Sequence, residues 1–114
     1  PEGTAATLIP GNIAFHSSRV DGILPSMQQR LSFLDKRQPA WSLPFVSTVT
    51  ARAETRVDAR YFCDNVRKPV LFKQAVEVAF AGEHPPDVVV EIGPHRTLIS
   101  PLLQVRAPQP ASSG

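Results

Sequence analysis

The sequence predicts an α/β fold built on a parallel sheet, with short helices interrupted by proline. Three observations carry this. Val88-Val89-Val90 and Ile92 form a continuous apolar run, the kind of strand that is buried on both faces of a parallel sheet. Segments with helical spacing of apolar residues alternate with strand-like segments along the chain. Twelve prolines in 114 residues are about twice the usual share, and an interior proline must start, end or kink its element. Only two strands are convincing, fewer than a doubly wound sheet needs, so the pattern reads as part of such a sheet.

The elements follow in order. Residues 1–12 read as a lead-in, with a short strand at Ala6 to Ile9 and a turn at Pro10-Gly11. Ile13-Ala14-Phe15 is a brief apolar run ending in His16-Ser17-Ser18, and Ser17 or Ser18 is placed to cap a following helix. Val20, Leu24, Met27, Leu31 and Leu34 recur at steps of four and three residues, an amphipathic stripe. Pro25 places the start of the regular helix near Leu24, with the proline at its first position, and Gln38-Pro39 closes the segment. Phe45 to Thr50 is rich in β-branched and aromatic residues and predicts a strand; the polar run Arg52 to Arg56 reads as a loop.

Asp58 is placed to cap a short helix carrying Tyr61, Phe62 and Val66, which Pro69 stops. Phe72, Ala75, Val76, Ala79 and Phe80 mark another helix, ended by Gly82 and Pro85-Pro86. The strand at 88–92 then meets a tight turn at Gly93-Pro94-His95. Leu98, Ile99, Leu102 and Leu103 lie on a last helix kinked at Pro101. The residues from 106 to 114 have linker composition.

Composition bounds the function. The chain has room for one domain with a modest core. Hydrophobic residues make up 42% and charged residues 19%, which is globular rather than disordered. The formal net charge is only +2. Its basic residues are scattered, without the concentrated face and stacking aromatics of a nucleic-acid binder. No apolar run approaches a membrane span, and with no basic stretch followed by a long apolar segment near residue 1, no secretion signal is expected. Cys63 is the single cysteine, so no internal disulfide forms and a reducing, cytoplasmic setting is expected.

Among candidate chemical groups, His16 read alone is more often a structural or surface residue than a catalytic one. Asn65, next to a helix-stopping proline, reads alone as a helix-end cap, and His95 as a turn residue. The three histidines and one cysteine do not stand at metal-ligand spacings, so no metal is expected. The nucleophile elbow Gly-x-Ser-x-Gly does not occur.

Taken together, three motifs are more specific. Ala14-Phe15-His16-Ser17, then Tyr61 to Phe72 with Asn65-Val66-Arg67-Lys68-Pro69-Val70-Leu71-Phe72, then Glu91-Ile92-Gly93-Pro94-His95 appear in this order. In that order they resemble the C-terminal part of the malonyl-type acyltransferase domain of polyketide synthases and animal-type fatty acid synthases. The resemblance covers residues 13–105 and implies a serine-hydrolase-like subdomain.

It also implies a ping-pong reaction, in which a serine takes the acyl group from malonyl-CoA (or acetyl-CoA) and passes it to the phosphopantetheine thiol of an acyl carrier protein. His16 matches the general acid/base. Asn65 matches the residue whose carbonyl, main-chain or side-chain, accepts the Nδ1 proton. Phe15 matches the position that selects the extender unit, where bulk beside the acyl α-carbon disfavours methylmalonyl; read plainly, Phe15 is core. The family's serine elbow and its carboxylate-binding arginine have no match in this chain, and its inserted ferredoxin-like subdomain would lie mostly upstream of Ile13, with the lead-in at residues 1–12 as its exit, so the isolated chain is expected to be inactive. Its expected partners are the acyl carrier protein and the missing N-terminal part of the domain, with no bound cofactor. The alternative is a non-catalytic α/β interaction or docking module of a synthase.

Overall fold

The structure, a computed structural model, describes residue 11 and residues 13–36 and 42–106. The strand at Ala6 to Ile9, the helix stop at Gln38-Pro39 and the tail beyond residue 106 lie outside the described residues.

A 3₁₀ turn (Ser18–Ile23) leads into α1 (Leu24–Leu31), which tightens into a second 3₁₀ turn (Ser32–Lys36). Ser17 is the cap of the first turn: its Oγ accepts from the Arg19 N–H and donates to the Ala14 carbonyl, at 3.3 and 2.7 Å. Pro25 lies in the first turn of α1, where its missing N–H forfeits no helical bond. The predicted stripe is the packed face. Val20 is buried, and Leu24, Met27, Leu31 and Leu34 are half-buried while the residues between them are exposed.

That face packs on α2 (Ala59–Arg67). Asp58 caps α2, accepting from the Tyr61 N–H at 2.8 Å, and Asp35 reaches across from the second 3₁₀ turn to accept from the Ala59 N–H at 3.0 Å. Ala59 and Cys63, one turn apart, are the buried residues of α2.

Two strands, β1 (Phe45–Ser47) and β2 (Arg52–Glu54), form an antiparallel hairpin with Val46 opposite Ala53. The predicted strand at Phe45 to Thr50 is therefore shorter, and the predicted loop at Arg52 holds the partner strand. The cause is a turn at 48–51 closed by the Ala51 N–H on the Ser47 carbonyl at 2.8 Å, with Ala51 at φ 54°. Fully buried Ser47 anchors it, its Oγ accepting from the Val49 N–H at 2.9 Å and pairing with the Tyr61 hydroxyl at 2.8 Å. The Leu71 N–H donates to the Thr48 carbonyl at 2.7 Å and so seats the start of α3 (Phe72–Ala81) on the hairpin.

Residues 88–92 correct the prediction of a buried parallel strand. They take no regular form and their apolar residues stay exposed, Val88 by 77% and Ile92 by 96%. The hairpin is the only sheet among the described residues, and a strand without a neighbour to complete its ladder has no hydrogen-bonding reason to hold.

The last helix, α4 (Ile99–Arg106), packs on α3. Pro101, expected to kink it, is its third residue and lies in the first turn, where no intrahelical bond is lost. Glu91 supplies what the backbone lacks there. Its carboxylate accepts from the N–H groups of Thr97, Leu98 and Ile99 at 2.8, 2.9 and 3.3 Å and from the Thr97 hydroxyl at 3.2 Å.

Candidate active site

The site begins with a proline. Pro69 cannot continue α2, and it pushes the residue before it away from helical geometry. Lys68 accordingly takes ψ 156°. The last carbonyls of a helix have no intrahelical partner and must find one elsewhere. The Asp64 carbonyl takes the Lys68 N–H at 2.8 Å. The Val66 and Lys68 carbonyls are left for a partner outside the helix.

His16 is that partner. Its main-chain N–H donates to the Val66 carbonyl at 2.7 Å, and its ring Nδ1 donates to the Lys68 carbonyl at 2.7 Å. A carbonyl only accepts, so Nδ1 carries the proton and Nε2 is the basic nitrogen of the neutral ring. The side chain is exposed. His16 holds φ 60°, a left-handed conformation that side-chain-bearing residues adopt only when their surroundings fix it. The two bonds to the end of α2 provide that fixing.

The structure thus brings His16 to the helix end that carries Asn65, and it corrects which carbonyl holds the ring. The acceptor belongs to Lys68, three residues beyond Asn65. Asn65 is exposed on the last turn of α2, and Phe15, exposed by 52%, is not core in this chain. Sequence reasoning missed Lys68 because a peptide oxygen leaves no side-chain signature; the signal present was Pro69.

Charges surround the helix end. Arg67 Nε donates to Asp21 Oδ1, tying α2 to the first 3₁₀ turn. Lys68 Nζ pairs with Asp64 one turn earlier at 2.7 Å. Cys63 is no substitute nucleophile: burial, and then the Asp64 carboxylate, push its thiol pKa up, which keeps it protonated. Among the described residues no group of His, Cys, Asp and Glu is arranged to hold a metal ion, and no helix is long and apolar enough to cross a membrane.

The model of the acyl transferase domain matches residues 1–109. The chain belongs to the acyl transferase domain family. It is 33% identical over 120 residues to a highly reducing polyketide synthase of Leptosphaeria maculans, covering 90% of this chain and 5% of that protein. It is 33% identical over 98 residues to a polyketide biosynthesis acyltransferase homolog of Bacillus velezensis, covering 86% of this chain and 29% of the relative. A phenolphthiocerol/phthiocerol polyketide synthase of Mycobacterium tuberculosis is 34% identical over 97 residues, covering 85% of this chain and 5% of that protein. No solved structure matches. The chain therefore spans less than a third of the relatives it matches.

Proposed function

We propose that this chain supplies the acid/base half of an acyltransferase that moves a malonyl or acetyl group from CoA to the phosphopantetheine thiol of an acyl carrier protein. The observation that carries the reading is the His16 ring, fixed through Nδ1 on the Lys68 carbonyl with the side chain exposed. That arrangement makes Nε2 the atom that handles protons.

In the first half-reaction Nε2 takes the proton of a serine hydroxyl supplied by the rest of the domain. The serine oxygen attacks the thioester carbonyl, and the imidazolium returns the proton to the departing CoA sulfur. In the second, Nε2 takes the proton of the carrier thiol. The thiolate attacks the acyl-serine ester, and the proton returns to the serine oxygen.

The electrostatics match this chemistry. The partner of Nδ1 is a neutral carbonyl rather than a carboxylate, and it stabilises imidazolium less than Asp would. A thiolate leaves readily, so the lesser stabilisation suffices. The C-terminal end of α2 adds its partial negative charge beside the ring. Phe15, adjacent to His16, is the proposed limit on bulk at the acyl α-carbon, and the orienting role expected of Asn65 passes to the Lys68 carbonyl. The carrier protein and the remaining part of the domain are the proposed partners, and the cytoplasm the proposed setting.

The test is made in a complete domain carrying this stretch. His16→Ala should lower acyl transfer by about 10²- to 10⁴-fold while leaving the circular dichroism spectrum unchanged. Transfer that survives the substitution rejects the assignment. The 114-residue chain incubated with radiolabelled malonyl-CoA should carry no acid-stable label.

A further inference from the structure

We propose that Asp21 and Arg67 are positioning residues for His16, acting as a clamp that holds the His16 turn against the two carbonyls that grip it. The proposal rests on the reading of His16 as the acid/base group for its catalytic consequence, and on the structure alone for its effect on the ring.

Three consecutive residues of the α2 end each bond to the segment that begins at His16. Val66 takes the His16 main-chain N–H, Lys68 takes Nδ1, and Arg67 between them reaches Asp21 through its side chain. Asp21 lies in the 3₁₀ turn capped by Ser17, the residue after His16. The Asp21 carbonyl itself accepts from the Leu24 N–H where that turn meets α1. The clamp thus grips the same short turn from its far side. Beside the packing of Val20, the clamp and the two His16 bonds are what hold this turn to the end of α2, against the left-handed φ of 60° that favours relaxation.

Arg67 is the cation suited to this role. Lys68 is engaged with Asp64 on its own helix, whereas Arg67 points across to the 3₁₀ turn with a planar, always charged donor. Both partners are partly exposed, by 37% for the Arg67 side chain and 54% for that of Asp21. Exposed pairs contribute little to global stability. The clamp is therefore expected to act on geometry, and the readout must report the ring.

That readout is the tautomer of His16, from two-bond proton–nitrogen spectra of the ¹⁵N-labelled 114-residue chain at mildly alkaline pH. The signals are assigned by their loss in His16→Gln. The wild-type ring should show the Nδ1–H form imposed by the Lys68 carbonyl. Asp21→Ala and Arg67→Gln should each move it toward the Nε2–H form of a free histidine, and Asp21→Glu should restore it. In a complete domain Asp21→Ala should lower kcat about tenfold with KM for the acyl-CoA unchanged. Wild-type ring shifts in both Asp21→Ala and Arg67→Gln overturn the proposal. So does unfolding of Asp21→Ala, since the pair would then hold the fold rather than the ring. If His16→Ala leaves transfer intact while the tautomer still follows Asp21, the proposed function fails and the clamp stands.

Discussion

Nδ1 of His16 donates to the main-chain carbonyl of Lys68 at 2.7 Å, across 52 positions of sequence. The acceptor is an atom that every residue possesses, and side-chain changes at Lys68 and Asn65 should separate sharply from a change at Pro69. In a complete domain Lys68→Ala and Asn65→Ala are expected to keep kcat within a few-fold. The former forfeits only the Asp64 pair, worth about 0.3–0.5 kcal/mol. Pro69→Ala permits α2 to run on and reclaim the Val66 carbonyl, and it is expected to lower kcat by about tenfold or more. Equal kcat in all three variants would remove the backbone carbonyl from the mechanism.

Phe15 stands one residue before His16 and is exposed by 52%, so its ring is not spoken for by the core of this chain. Phe15→Ser in a complete domain is expected to shift the choice between methylmalonyl-CoA and malonyl-CoA toward the former. One methyl group in a pocket is worth about 1–3 kcal/mol, or roughly tenfold or more in the ratio of kcat/KM values. Competition between the two substrates measures it, and an unchanged ratio removes Phe15 from the acyl pocket.

How much of the molecule is legible in its sequence differs by element. The stripe from Val20 to Leu34, the Asp58 cap and the helix from Phe72 to Ala81 follow from spacing and local chemistry, which act within a few residues. The run at 88–92 does not become a strand, because its ladder depends on neighbours that periodicity does not report. The hairpin turns on Ser47, whose buried hydroxyl anchors the turn that ends β1 early. At the site, the motif around His16 points to the histidine. Its acceptor lies three residues beyond the expected Asn65, because it is set by the exit geometry of α2 and not by a side chain.

The Glu91 carboxylate lies below the ordinary glutamate range, held charged first by the Thr97 N–H, then by that of Leu98, with lesser help from the Thr97 hydroxyl and the Ile99 N–H, against some desolvation. The unfolded chain therefore takes up this proton first as pH falls. The linked stability is complete above the ordinary glutamate pKa near 4.3 and is lost as pH drops through the lower folded value. The protection of α4 amides relative to intrinsic exchange, beginning with the Leu102 N–H bonded to the Leu98 carbonyl, is expected to fall over that acidic range. Glu91→Gln should already show reduced protection at neutral pH, and that protection should change little with acid. A wild-type profile that stays flat through the acidic range would separate Glu91 from the capping of α4.

Ser47 is fully buried and satisfies both the Val49 N–H and the Tyr61 hydroxyl. Ser47→Ala leaves both without this partner and is expected to destabilise the chain by about 1–3 kcal/mol. Tyr61→Phe leaves the Ser47–Val49 bond in place and should cost less, about 0.5–1.5 kcal/mol. Urea titration of the two variants gives the order, and a reversed order would assign the hairpin anchor to Tyr61.

Pro69 contributes no polar atom to the site, yet the orientation of its most polar contact depends on it. The information that aims the His16 ring is written as a missing N–H and a ring closure, one residue away from the oxygen that does the holding. Position 68 is then free to drift in side-chain identity without consequence for the ring. A comparison of sequences that scores sites by their polar residues would pass over the position that matters. A designer transplanting this histidine to another helix end would have to carry over the proline, and need not carry over the lysine.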